Sequence, residues 1–148
     1  MRDSSVDANK RLVRDFWRAV YEERDSERIG SFFNPEGIYE DAALPGTAGV
    51  GPEGAAGRLA IGHEPIDSFD HEVHRMVAEG DTVVTEHTAT WHFRTGEVIP
   101  LPFVSIHVVR DGKFDLWRDY WDITAWVSAA PKWWIEHIAK AGARGFGG

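Results

Sequence analysis

Cysteine is absent from the chain, which excludes disulfides, thiolate nucleophiles and cysteine-ligated metals. No apolar run approaches the roughly 20 residues that span a bilayer, so no membrane partner is expected. Positive charge is scarce: 16 Lys and Arg stand against 24 Asp and Glu, a formal charge of −8. The basic residues form no cluster of the kind that displaces counterions from a polyanion, so nucleic acid is not an expected partner. Neither a glycine-rich phosphate loop nor a Gly-x-Ser-x-Gly elbow occurs. His71 and His74 fall on opposite strand parities, while His63 and His107 lack ligand spacing, so no metal site is expected. Met1-Arg2-Asp3-Ser4-Ser5 leads into a charged segment without an apolar signal core. Together with the missing cysteine, this fits a cytoplasmic protein.

What the chain has instead is aromatic: seven Trp, eight Phe and three Tyr in 148 residues. A large core explains most of these rings. Several lie close to polar groups in the second half, a combination that also suits a pocket for a flat, apolar small molecule. The length indicates one domain over residues 1–148, with a Gly-rich tail, 142–148, expected to fray.

The periodicity changes part-way along. Leu12, Val13, Phe16, Trp17, Val20 and Tyr21 recur at helical spacing and predict an amphipathic helix. Ser26 is positioned to cap a short second helix carrying Ile29, Phe32 and Phe33, which Asn34-Pro35 would stop. Ile38 to Asp41 reads as a strand, residues 42–51 as a Pro/Gly loop, and Pro52 as the opening of a third helix through Ile61. From Phe69 the period is two. Strands are predicted over Phe69–Ala78, Thr82–Phe93, Val98–Arg110 and Lys113–Thr124, separated by short Gly-containing turns. A last amphipathic helix follows Pro131. Helices followed by an antiparallel meander give an α+β fold with helices on one face of a curved sheet. The Val98–Arg110 segment is apolar on both parities, so its second face needs a cover. A homodimer packed sheet against sheet is the expected arrangement.

Strand parity also gathers polar groups. Val83, Thr85, His87, Ala89, Trp91 and Phe93 share one face of their strand, and His87 therefore points inward. In Leu116-Trp117-Arg118-Asp119-Tyr120-Trp121-Asp122, the acid Asp119 shares a face with Trp117 and Trp121. Tyr39 and Asp41 share a face of the first strand. The strands of His87 and Asp119 both flank the third long strand, so the two side chains are expected to meet across a cavity. Desolvation would raise the carboxyl pKa values and lower that of the imidazole. Trp91, Trp117, Trp121, Phe103 and Leu44 are the candidate walls. Each polar residue has a plainer explanation. Asp119 can simply accept hydrogen bonds, His87 can be a satisfied core histidine, Tyr39 strand filling and Asp41 turn chemistry.

The Trp-Arg-Asp-Tyr-Trp-Asp run after Asp111-Gly112-Lys113 resembles the signature strand of limonene epoxide hydrolases. Tyr39-Glu40-Asp41 before Leu44-Pro45 and Thr85-Glu86-His87 do so as well. The likeness extends to the cystatin-like cone superfamily, which includes SnoaL-type polyketide cyclases and ketosteroid isomerases. It implies a curved antiparallel sheet wrapped by helices around a deep pocket that needs no cofactor. By position, Asp119 is similar to the aspartate that activates water, and Tyr39 to the tyrosine that helps hold it. Three departures matter. Asp41 stands for the water-holding asparagine, His87 for the bridging arginine, and Ala89 for the acid that protonates the epoxide oxygen. In its Tyr-Glu-Asp-Ala context, Asp41 also resembles the ketosteroid isomerase base. Scytalone-type dehydratases of this fold use aspartate and histidine together.

The expectation is a cofactor-independent acid–base enzyme of isomerase, dehydratase or cyclase type. Its partner would be a small hydrophobic carbonyl compound such as a steroid, polyketide or terpenoid. Asp119 would be the principal acid or base, His87 its proton-shuttling partner, Asp41 a second carboxyl and Tyr39 an oxyanion or water-orienting donor. Epoxide hydrolysis with Asp41 or protonated His87 as a substitute acid is an alternative, and non-catalytic ligand binding is another.

Overall fold

The computed structural model describes residues 4–143. Helix α1 (Ser4–Arg18) continues into a π-helical turn, Ala19–Glu23. Its buried stripe is Val13, Phe16, Trp17, Val20 and Tyr21, the face required by the spacing of its apolar residues. Arg24 ends the turn in the left-handed region, at φ 57°. Its guanidinium donates to the carbonyls of His63, Ile66 and Asp67, clasping α1 to the chain that follows α3. Asp25, rather than Ser26, caps α2 (Ser26–Gly30), accepting from the amides of Glu27 and Arg28.

The second helix is shorter than its apolar spacing implies. Phe33 already belongs to β1 (Phe33–Asp41), and Asn34-Pro35 lies inside that strand. The register between β1 and its neighbour shifts between Phe33 and Ile38, which accommodates a proline that cannot donate to the ladder. Within the loop lies a two-residue strand, β2 (Gly49–Val50), missing from the sequence reading. It packs against α3 (Gly51–His63) so closely that a Cβ on Gly49 would sit 2.2 Å from the Gly54 carbonyl oxygen. The missing side chain of Gly49 is thus what lets the helix approach the sheet, whereas a Cβ on Gly57 of α3 would meet open space.

The remaining strands are β3 (Ser68–Glu79), β4 (Thr82–His92), β5 (Val98–Arg110) and β6 (Lys113–Tyr120). The last of these stops four residues short of Thr124. Asp122 instead caps a further helix, α4 (Ile123–Ala129), by accepting from the Ala125 amide at 3.0 Å. Helix α5 (Lys132–Ala143) follows Pro131 and takes in Gly142 and Ala143; the rest of the expected frayed tail lies outside the described residues. The sheet order is β2-β1-β6-β5-β4-β3. The long strands form the expected antiparallel meander, whereas β1 joins β6 in parallel. Asp41 is thereby the register partner of Asp119.

The sheet is curved and unclosed, with helices on its inner face. Strand β4 alternates strictly, with Val83, Thr85, His87, Ala89 and Trp91 buried. The other face of β5 exposes Val98 and Val104, and Tyr120 beside Val104 is also exposed. No described helix is long and apolar enough to cross a membrane.

Candidate active site

The inner face of the sheet, helix α3 and the two C-terminal helices enclose a cavity of about 110 Å³. Its lining combines a polar group, Asp119, Asp41, Arg58, Tyr39 and Trp121, with the mutually packed rings of Trp91, Trp126 and Trp134 and with Leu101 and Phe103. Tyr39, Asp41, Asp119, Trp91, Trp117, Trp121, Phe103 and Leu44, all singled out from the sequence, line it together. His87 does not. It lies in the core behind the lining, its ring stacked on Phe103 and 4.4 Å from that of Trp17.

The expected direct contact between His87 and Asp119 is replaced by a bridge. Ser105, on the strand between them, donates its hydroxyl to Asp119 Oδ1 at 2.5 Å, and its oxygen lies 2.7 Å from His87 Nε2. Trp117 Nε1–H donates to the same Oδ1 at 2.6 Å. No described residue donates to Oδ2, so that oxygen is the one available to a molecule in the cavity. Burial is the main influence on Asp119, with the Asp41 charge second. These outweigh the Ser105 and Trp117 hydrogen bonds and the Arg58 charge, which favour the ionised form, and the carboxyl pKa is pushed well above its ordinary range.

Asp41 is held differently. Arg58 Nη2 lies 2.7 Å from its Oδ2, with both side chains more than nine-tenths buried, and Trp121 Nε1–H donates to Oδ1 at 2.8 Å. Arg58 also donates to the carbonyl and hydroxyl of Thr47, which fixes the loop before β2. Its guanidinium covers the Tyr39 ring at 4.6 Å, and Tyr39 stacks on Trp117 at 3.8 Å and 9°. One column of flat groups therefore sets both carboxyls. The phenols of Tyr39 and Tyr21, both in the lining, are pushed well above 10 by burial and then by the two aspartates. They remain O–H donors at working pH.

Burial lowers His87 to about 2, so it is neither a protonated acid for an epoxide nor a strong base in its own right. Ala89 is fully buried in β4 opposite His71 and offers no proton. Sequence alone assigns none of Arg58, Ser105, Tyr21 and His71 to the site: Tyr21 reads as helix packing and His71 only as an excluded metal ligand. Among the described residues, no group of three or more His, Asp or Glu could hold a metal.

The SnoaL-like domain family matches residues 13–117. The chain belongs to the SnoaL-like family. Among curated proteins, none matches it. Several solved structures share its fold. TerC, co-crystallised with polyporic acid, is 22% identical over 82% of this chain and 97% of its own, with a TM-score of 0.71. A protein of Jannaschia sp. CCS1 named as a SnoaL-like polyketide cyclase is 21% identical over 88% and 98%, TM-score 0.72. An LEH-like epoxide hydrolase of M. tuberculosis is 20% identical over 95% and 99%, TM-score 0.71. At such identities the likeness shows the fold; chemistry must come from the residues of the SnoaL-like chain itself.

The same burial that tunes this SnoaL-like site makes the protein acid-sensitive. His63, His71, His87 and His107 are lowered to about 3, 4, 2 and 3, chiefly by burial. An unfolded histidine titrates near 6.5, so below that pH the unfolded chain binds protons that the folded one refuses. Stability therefore falls as pH drops through about 6.5, by up to about 1.4 kcal/mol per pH unit for a fully buried histidine. Asp119 contributes with the opposite sign, since a raised folded pKa favours the fold at low pH and that contribution is lost as pH rises through it. His107 offers the cleanest check: it is fully buried and neither ring nitrogen has a hydrogen-bond partner. His107→Leu should stabilise the protein by about 1–3 kcal/mol at pH 7 and flatten the acid limb. Urea melts at pH 5 and pH 8 measure both effects, and an unchanged acid limb would contradict the assignment.

Proposed function

We propose that this chain is a cofactor-independent acid–base enzyme of isomerase, dehydratase or cyclase type. Its substrate would be a small, largely apolar carbonyl compound such as a polyketide, steroid or terpenoid. The carrying observation is the Asp119 carboxyl: buried among indoles, raised in pKa, tied down through Oδ1 and free at Oδ2 on the cavity side. Such a carboxyl can give or take a proton next to a bound carbonyl compound. The phenols of Tyr39 and Tyr21 would donate to oxygen as it gains negative charge. Asp41, neutralised by Arg58, would shape the field at Asp119 rather than exchange protons itself. The Trp91, Trp126 and Trp134 rings would take the apolar body of the substrate. TerC's co-crystallisation with polyporic acid and the polyketide-cyclase name of the Jannaschia protein agree with this class.

Epoxide opening is the second reading, favoured by the Arg58–Asp41 pair beside Asp119. Incubating panels of aromatic and terpenoid ketones and epoxides in deuterated, heavy-oxygen water separates the readings. Deuterium at carbon without heavy oxygen, absent from the Asp119→Asn variant, is the expected result. Heavy oxygen in a diol would replace it with hydrolysis. Stoichiometric binding with no label in any product would leave a ligand carrier.

A second copy is proposed to cover the outer face of β5, where Val98 is 57% and Val104 39% exposed. Sedimentation should give a mass of two chains, and a monomer would remove that proposal.

A further inference from the structure

The proton-bearing groups behind the cavity do not end at Ser105. His87 Nδ1 lies 2.9 Å from Nε2 of His71, on the edge strand β3. The sequence is continuous: Asp119 Oδ1, Ser105 Oγ at 2.5 Å, His87 Nε2 at 2.7 Å from that oxygen, and His71 beyond. His71 is partly exposed and outside the cavity lining; its Nδ1 takes no hydrogen bond from a described residue. Its ring is held flat on Tyr21 at 4.2 Å. Ser105 and His87 are buried at 0% and 1% exposure. Each member of the row is able both to donate and to accept.

We infer that Asp119 is the inner port of a proton relay through Ser105, His87 and His71, which exchanges protons with solvent at the sheet edge while substrate fills the cavity. This rests on the acid–base reading above and extends it to the path by which the carboxyl is reset.

The balance closes without any member of the row having to hold a charge. With Asp119 protonated on Oδ1, hydrogens point outward: Oδ1–H to Ser105, its hydroxyl to His87 Nε2, His87 Nδ1–H to His71 Nε2, and His71 Nδ1–H to water. When Oδ2 takes a proton from a substrate carbon, the Oδ1 proton passes to Ser105. The Ser105 proton passes to His87 Nε2, the His87 Nδ1 proton to His71 Nε2, and the His71 Nδ1 proton leaves to solvent. One proton enters and one leaves, and every group of the row ends neutral; the electron pair stays on the substrate as an enolate, whose oxygen accepts from the Tyr39 or Tyr21 phenol. All hydrogens now point inward, and both imidazoles have exchanged tautomer. Running the row backwards, a proton entering at His71 Nδ1 restores Oδ1–H as Oδ2–H is given to the substrate. Ser105, His87 and His71 are positioning and relay residues; only Asp119 meets the substrate.

Nitrogen-15 NMR of the free protein tests the inference without any substrate. At a pH where the Asp119 carboxyl carbon reads protonated, His71 and His87 should both be neutral and both show the Nδ1–H tautomer of the outward state, in exchange with the Nε2–H tautomer of the inward one. In Asp119→Asn the amide oxygen takes the place of Oδ1, because Trp117 needs an acceptor there. The row should then be locked inward, and both histidines should read Nε2–H at every pH at which they are neutral. The expected change is the loss of the Nδ1–H tautomer from both rings, including His71, which has no contact with Asp119 except through His87 and Ser105. In a Ser105→Ala background the same Asp119→Asn change should move neither ring. Identical tautomers in wild type and Asp119→Asn, or an equal change with Ser105 absent, would overturn the relay. These spectra are independent of turnover: inert panels with coupled histidines would remove the enzymatic reading and leave the row standing. Active enzyme with uncoupled histidines would do the reverse.

Discussion

Asp119→Asn should lower turnover about 10²–10⁴-fold, the range supplied by a positioned acid or base, while leaving the fold intact. The amide has the same shape, and its oxygen can still accept from Trp117 and Ser105 at the place Oδ1 occupies. What it lacks is a titratable proton at the cavity-facing position. Stability should not fall on the alkaline side. The wild-type carboxyl is raised by burial and by Asp41, so keeping it ionised above its folded pKa opposes folding, and the amide escapes that opposition. Paired measurements of label uptake from the reactive ketones and of urea midpoints at pH 8 check both halves. A folded variant that keeps wild-type turnover would remove Asp119 from the chemistry.

The second large effect concerns stability. Arg58→Met should cost about 3–5 kcal/mol, because it strands the buried Asp41 carboxylate without its counter-charge. The loss exceeds that of an exposed ion pair, which is typically worth under about 1 kcal/mol. It also releases the Thr47 loop and the cation over Tyr39. Adding Asp41→Asn should recover much of the deficit, since no charge then remains to be compensated. The pair also tunes Asp119 in opposite senses: Arg58 lowers its pKa and Asp41 raises it. The single variant should therefore shift the carboxyl upward and the double variant bring it back. Denaturant melts and the pH profile of label uptake follow the two consequences separately. A single variant as stable as wild type would mean that the Arg58–Asp41 contact does not hold the fold together.

Much of this arrangement is readable from periodicity. Alternation over Thr82–Phe93 sends His87 inward, and parity around Asp119 puts it among indoles; both follow from the geometry of a pleated strand. The β5 boundaries, Val98–Arg110, match the turn signals on either side. Other features depend on distant partners. The parallel docking of β1 on β6 has no local signature. Asn34-Pro35 reads as a helix stop, although the register shift beside it lets a strand continue. Asp122 looks like one more strand residue, yet its side chain caps α4 and turns Trp121 out of the ladder. Ser105 is legible in principle: it has the inward parity of Phe103 and His107, a hydroxyl between two rings along its strand. Arg58 was legible by composition, the one guanidinium in a helix of Gly, Ala and Leu. Neither signal says which acid is met, because that depends on how α3 seats against the sheet.

The parallel seam between β1 and β6 has a consequence for biogenesis. It brings together residues from opposite ends of the chain, as in the Arg118–Glu40 contact across 78 positions. Contacts this remote in sequence form late, and domains emerge from the ribosome amino end first. While it is being synthesised, the chain therefore presents Asp41 and Arg58 long before Asp119 exists. The guanidinium is thus at hand to meet the first acid before the second is made, and the Trp126 and Trp134 part of the wall is made later still.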